Sequence, residues 1–249
     1  MTDAHASWIT LLAAPFIGKF LSLAVDCLLE DSPLRLQRSA QKKAIGLLDL
    51  LPVVGWFWSK AHCQRCGANV GGFRLALELG APAIAVWAEI VTPGWIVVAS
   101  CLLGWTLLVL AIVDMKRFIL PDVVTCPLLA VGLAIACLMD PSGLSGHVVG
   151  AAVGYLGFIA VRCAYRKLRA REGLGQGDAK LLAAIGAWVS WQGLPSVVLL
   201  AAGSGALFGL MRCVIGSRAV TSERLPFGPF LAAAGWVVWL YGPLMLVGQ

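Results

Sequence analysis

No charged side chain interrupts the run from Trp95 to Val113, and runs of this kind recur along the whole chain. A bilayer core of about 30 Å is crossed by roughly 20 apolar residues in a helix rising 1.5 Å each. Eight stretches approach that requirement: Trp8–Leu29, Leu75–Val91, Trp95–Val113, Val123–Leu138, Leu144–Val161, Ala179–Trp191, Pro195–Ile215 and Leu225–Val247. The expected fold class is an all-α membrane protein of about eight transmembrane helices. Composition agrees, since 59% of the residues are hydrophobic and only 13% charged. An ordinary globular chain is about half apolar and about a quarter charged. The excess apolar surface needs lipid as its solvent, so the bilayer is the first expected partner. Ten tryptophans fit a chain with two membrane–water interfaces.

The net charge of +6 matters less than its distribution. Every Lys and Arg except Lys19 falls between the first and second spans, after the third, between the fifth and sixth with Lys180 just beyond, or around the seventh-to-eighth turn. The alternate loops and both ends carry none. Cytoplasmic loops collect Lys and Arg, so both termini are expected on the non-cytoplasmic side. That arrangement suits membrane topology rather than nucleic-acid binding. No basic region precedes Trp8, so the first span reads as retained rather than as a cleaved signal. Residues 30–74 form the one sizeable extramembrane piece, a small cytoplasmic subdomain carrying Cys63 and Cys66. The expected division is residues 1–92, two spans and this CxxC loop, and residues 93–249, the core. The other six cysteines sit in or beside apolar runs, where they read as small packing residues.

Few acidic side chains lie near membrane depth: Asp26, Glu78, Glu89, Asp114, Asp122 and Asp178. Ionisable groups there are costly and mark functional sites by default; the ordinary alternative is a helix-end carboxylate reaching interfacial water. Asp178 follows Gly175-Gln176-Gly177, where small residues let another chain approach closely. Asp114 ends the third span, and the topology puts it on the same membrane side. Two carboxylates brought together can share a proton, one acting as base on a water while the other polarises a scissile carbonyl. Such proteolysis needs neither metal nor nucleophilic side chain. His5, His62 and His147 lie far from any plausible nucleophile, and there is no HExxH or phosphate-binding loop. Asp178 opens a helix, where the macrodipole favours the ionised base, and Asp114 closes one, which favours the protonated acid. The span opening at Ala179 is short, which would set Asp178 about 10 Å below the cytoplasmic surface. A small transporter using the same carboxylates is the competing reading, but its site would lie near mid-membrane.

Four stretches together resemble the type IV prepilin peptidase family, membrane aspartyl proteases of the GxGD kind. They are Asp114 with Leu120-Pro121-Asp122, Gly175-Gln176-Gly177-Asp178-Ala179-Lys180, Leu225-Pro226-Phe227-Gly228-Pro229-Phe230, and Cys63-Gln64-Arg65-Cys66. The resemblance covers nearly the whole chain. It implies that Asp114 and Asp178 are the catalytic pair, with Gly175 and Gly177 shaping the loop. Asp122, Lys180 and the Pro226–Pro229 turn would be supporting elements. Glu78 occupies a position similar to a family glutamate, its alternative role being partner to a basic side chain. The implied substrates are prepilins or pseudopilins of pilus assembly and type II secretion. They would be cut at the cytoplasmic face of the bacterial inner membrane, between a basic leader and an apolar helix. Methylation of the new N-terminus would use S-adenosylmethionine. Fuller members carry two CxxC pairs, suggesting zinc. Here Cys63 and Cys66 stand alone, with His62 and Cys27 as the extra candidates for a site that wants four ligands.

Overall fold

The computed structural model describes residues 2–29, 72–169, 175–215 and 226–244. Among them are seven α-helices and no strand: α1 (Thr2–Leu29), α2 (Gly72–Val91), α3 (Ile96–Arg117), α4 (Asp122–Met139), α5 (Leu144–Arg169), α6 (Gln176–Val214) and α7 (Gly228–Tyr241). Four of them, α3, α4, α5 and α6, include segments long and apolar enough to cross a membrane, and α7 is a shorter apolar helix. In lipid a segment must satisfy its own backbone polar groups, which helices do. The chain is thus a membrane protein whose described residues are all-α. Cys63, Cys66 and most of the expected loop 30–74 lie outside the described residues, as does Leu225.

The chain divides into two compact units, Met1–Ile112 and Val113–Gln249. In the first, α1 lies close against α2. A Cβ at Gly18 would meet the Leu77 carbonyl oxygen at 2.9 Å and the Ala81 Cβ at 3.2 Å. The approach brings Lys19 Nζ to 3.0 Å from Glu78 Oε1, whose side chain is buried. Lys19 is the basic residue that the loop pattern left over, and its charge at membrane depth is answered here. The Trp105 indole donates to the Ala81 carbonyl at 3.0 Å.

The second unit holds the last turn of α3 and the helices α4 to α7. Its centre is α6, whose continuity is broken at Ser190 (φ 62°, ψ 171°). A positive φ is costly for a residue with a Cβ and marks an imposed change of direction. The contacts with α7 show how large that change is. Going down the first limb, Ile185 meets Gly235 and Trp188 stacks edge-on against Trp239 at 5.2 Å, so this limb runs parallel to α7. On the second limb, Gly193 meets Val238, Ser196 Oγ accepts from the Leu244 N–H at 3.1 Å, and Phe208 meets Phe230. Past the turn, from Ser196 to Phe208, the partners run back from Leu244 to Phe230, so this limb is antiparallel to α7 and α6 is a helical hairpin reversing at Ser190. The limbs coincide with the expected spans Ala179–Trp191 and Pro195–Ile215.

A seam of small residues joins α5 to the first limb. A Cβ at Gly146 would meet Ser190 Oγ at 2.8 Å, and one at Gly154 the Leu182 carbonyl oxygen at 2.8 Å. Between them, a Cβ at Gly150 would sit 2.6 Å from the Gly186 carbonyl oxygen. Small residues four apart let membrane helices touch backbone to backbone. Helix α4 lies on the other side, where Trp188 Nε1 donates to the Leu128 carbonyl at 2.9 Å and covers Gly132. Three neighbours thus fix the first limb, at whose start stands Asp178.

Candidate active site

Asp114 occupies the last turn of α3, and Asp178 is the third residue of α6. Both are buried, 5% and 7% exposed, and both belong to the second unit, where Gly177 beside Asp178 packs on Leu120, six residues past Asp114. Two carboxylates far apart in sequence therefore share one small region of the second unit.

Each carboxylate is met by the start of a helix. Gly175 caps α6 in an extended conformation (φ −70°, ψ 144°), and its backbone N–H donates to the Asp178 carboxylate. A carboxyl group three residues past the cap, reaching back to the cap N–H, is half of a capping box. Asp114 has a matching partner in α7. Phe227 caps that helix and Pro229, within its first two positions, brings no N–H. The Phe230 and Leu231 N–H groups turn inward to the Phe227 carbonyl, both at 3.1 Å. The Gly228 N–H points outward and donates to Asp114 Oδ2 at 3.0 Å. A Cβ at position 228 would lie 2.5 Å from that oxygen. Asp114 thus sits at the C-terminus of its own helix and at the N-terminus of another. The contrast in helix-end fields expected from sequence is lessened, because Asp114 also feels the positive end of α7.

The other expected residues gather around this pair. Gly177 lies against Leu120, where a Cβ would approach the leucine side chain to 3.0–3.3 Å. Leu120 is itself buried. Two residues on, Asp122 opens α4 and its carboxylate takes the Lys180 ammonium at 2.6 and 2.7 Å. This pair is partly exposed, 33% for Lys180 and 58% for Asp122, where an ion pair adds little stability. Its contribution is alignment, tying the starts of α4 and α6 while Leu120 and Gly177 meet beneath. Phe227 rests on Phe158 with ring centroids 6.1 Å apart, which steadies the α7 cap.

Sequence reasoning named the Pro226–Pro229 turn but not the donor role of Gly228. The available signal was the Gly-Pro pair opening an apolar run, a helix start with one outward N–H. Glu78 and Glu89 belong to the first unit. Among the described residues no cluster of His, Cys, Asp or Glu could hold a metal ion, while Cys63 and Cys66 lie outside them.

Residues 101–210 match the type IV leader peptidase family, and residues 12–91 match the bacterial peptidase A24 N-terminal domain. A prepilin leader peptidase/N-methyltransferase of Aeromonas salmonicida is 40% identical over 199 residues, covering 80% of this chain and 68% of that protein. One from Dichelobacter nodosus is 36% identical over 203 residues, with coverages of 80% and 68%. One from Burkholderia pseudomallei is 38% identical over 193 residues, with coverages of 77% and 62%. No solved structure matches.

Proposed function

The chain belongs to the type IV leader peptidase family, and from that premise we propose that Asp114 and Asp178 are the pair with which it cleaves prepilins. It is a membrane peptidase of the prepilin leader kind. The observation supporting the assignment is a pair of buried carboxylates in one unit, each given one backbone N–H by a helix start.

The chemistry follows from one proton shared between two carboxyl groups. The ionised member takes a proton from water as its oxygen attacks the scissile carbonyl carbon. The protonated member gives its proton to the carbonyl oxygen. Collapse of the gem-diol breaks the C–N bond: the protonated member gives its proton to the leaving amine while the ionised member takes one hydroxyl proton, which restores the shared proton. Gly175 and Gly228 hold the two carboxylates by hydrogen bonds that stabilise negative charge on either. The pair titrates as a unit, so acid and base are roles of the pair rather than fixed identities. Gly177, Leu120, Asp122 and Lys180 position Asp178, and none of them exchanges a proton with substrate.

We place cleavage at the cytoplasmic face of the bacterial inner membrane, with about eight spans and both termini on the opposite side. The distribution of Lys and Arg supports this. Functionally, residues 1–92 form an N-terminal region with the Cys63–Cys66 loop and residues 93–249 form the peptidase core. Matches over 12–91 and 101–210 support the division. A second reading adds N-methylation of the new N-terminus, favoured by the double name of the relatives. S-adenosylmethionine would supply the methyl group, and no residue described above is assigned to hold it.

The deciding experiment incubates prepilin with membranes carrying wild type, Asp114→Asn or Asp178→Asn and weighs the products. Cleavage by wild type alone establishes the pair, and a product one methyl group heavier establishes the second activity. Residual cleavage by either variant would count against a shared proton.

A further inference from the structure

The return limb of α6 and the start of α7 leave a groove between them. It has a volume of about 350 Å³ and is lined by Ala202, Gly205, Ala206, Pro226, Phe227 and Phe230. That volume lies in the range of binding clefts. Its aromatic wall is braced, Phe227 by Phe158 at 6.1 Å and Phe230 by Phe208 at 5.7 Å. Its floor is small: a Cβ at Gly205 would only touch Phe230 at 3.7 Å. Phe227 immediately precedes Gly228, whose N–H rests on Asp114. The groove therefore begins one residue from the candidate catalytic pair.

We propose that this groove is the substrate subsite for the apolar segment flanking the scissile bond, an inference that rests on the peptidase reading above. An endopeptidase must admit chain on both sides of the bond it cuts. Residues adjoining that bond lie within roughly 3.5 Å of chain per residue from the carboxylates. Phe227, in the groove wall, is one residue from Gly228, whose N–H holds Asp114. Its lining selects the occupant: six apolar residues offer no partner to a Lys or Arg, whose burial there would be costly. A floor of Ala202, Gly205 and Ala206 lets a second helix or strand come close in lipid, where small residues mark contact faces. Phe227 and Phe230 then bear on its side chains, and the basic flank is left to face water.

The test uses full-length enzyme in membranes and two substrates. One is intact prepilin; the other is a peptide that keeps the leader and ends with the residue just past the scissile bond, roughly 3.5 Å of extended chain, too short to enter the groove. Gly205→Leu and Ala206→Leu fill the groove. Gly203→Leu is the control, since a Cβ at Gly203 meets nothing within 4 Å and position 203 does not line the groove. The groove variants should lower kcat/KM on intact prepilin about tenfold or more, chiefly through KM, and leave the short peptide unaffected. Gly203→Leu should change neither. Equal effects on both substrates, or none on either, overturn the proposal. A wild type that cuts neither substrate removes the peptidase reading, and the subsite falls with it. A photo-crosslinking phenylalanine analogue in place of Phe230, which already lines the groove, in Asp178→Asn enzyme, gives an independent readout. Adducts on the apolar segment support the assignment. Adducts confined to the basic leader or to lipid overturn it.

Discussion

A methyl group at position 228 would stand 2.5 Å from Asp114 Oδ2, inside van der Waals contact, so either the carboxylate or the start of α7 must move. Displacements of about 1 Å at a catalytic group cost on the order of a hundredfold in rate. Gly228→Ala should therefore lose about that much cleavage while still inserting in the membrane, which turnover and expression measured together will check. Gly177→Ala makes a graded comparison. Its Cβ meets the Leu120 side chain rather than backbone, at 3.0–3.3 Å, and a leucine can yield by a few tenths of an ångström. The expected loss is about tenfold or less, and it should be smaller than that of Gly228→Ala in the same assay. Asp114 and Asp178 could be read from their neighbours in sequence, because a motif is local. The Gly228 N–H could not, because its aim depends on how α7 is laid down more than a hundred residues after Asp114.

At the scale of helices, the α5–α6 seam divides glycines that must stay small from those free to grow. A Cβ at Gly150 meets three backbone atoms at 2.6–2.8 Å, whereas one at Gly157 meets nothing within 4 Å. Gly150→Leu should thus cost upwards of about 3 kcal/mol, the top of the usual range for overpacking. Gly157→Leu should be neutral, and the two melting temperatures in detergent decide it. The seam is spelled out in the spacing of Gly146, Gly150 and Gly154, yet apolar length alone, the signal that finds spans, says nothing of which face meets which. The turn from α4 to α5 carries a pH signature outside the helices. The Ser142 hydroxyl and then the Gly143 N–H donate to Asp140, holding its carboxyl below the usual carboxylate range. A lowered pKa stabilises above the unfolded value of about 4 and loses that contribution as pH falls through the folded one. Hydrogen-exchange protection of this turn should therefore stay flat from about pH 7 to pH 5 and weaken only below.

For the whole molecule, the legible part was apolar length, which located helices α3 to α6. The limbs of α6 were legible as two spans because Gln192-Gly193-Leu194-Pro195 punctuates them, although the turn itself is made one residue before Trp191, at Ser190. This reversal has a topological consequence. The first limb is about 21 Å long at 1.5 Å per residue, short of the roughly 30 Å hydrocarbon core. A limb that short crosses only if Asp178 starts below the surface and the turn reaches the far interface. Gln192, exposed just past the turn, should then face the side opposite to Lys167, which lies near the end of α5 among its basic residues. In intact cells, a membrane-impermeant thiol reagent should tag Gln192→Cys from outside. It should tag Lys167→Cys only after permeabilisation, each judged against the parent enzyme by site-resolved mass spectrometry. Labelling of both positions from one side would mean that the first limb turns back within the membrane. Asp178 would then be reached from the same face as residue 192, and cleavage at the cytoplasmic face would need a different route for the substrate.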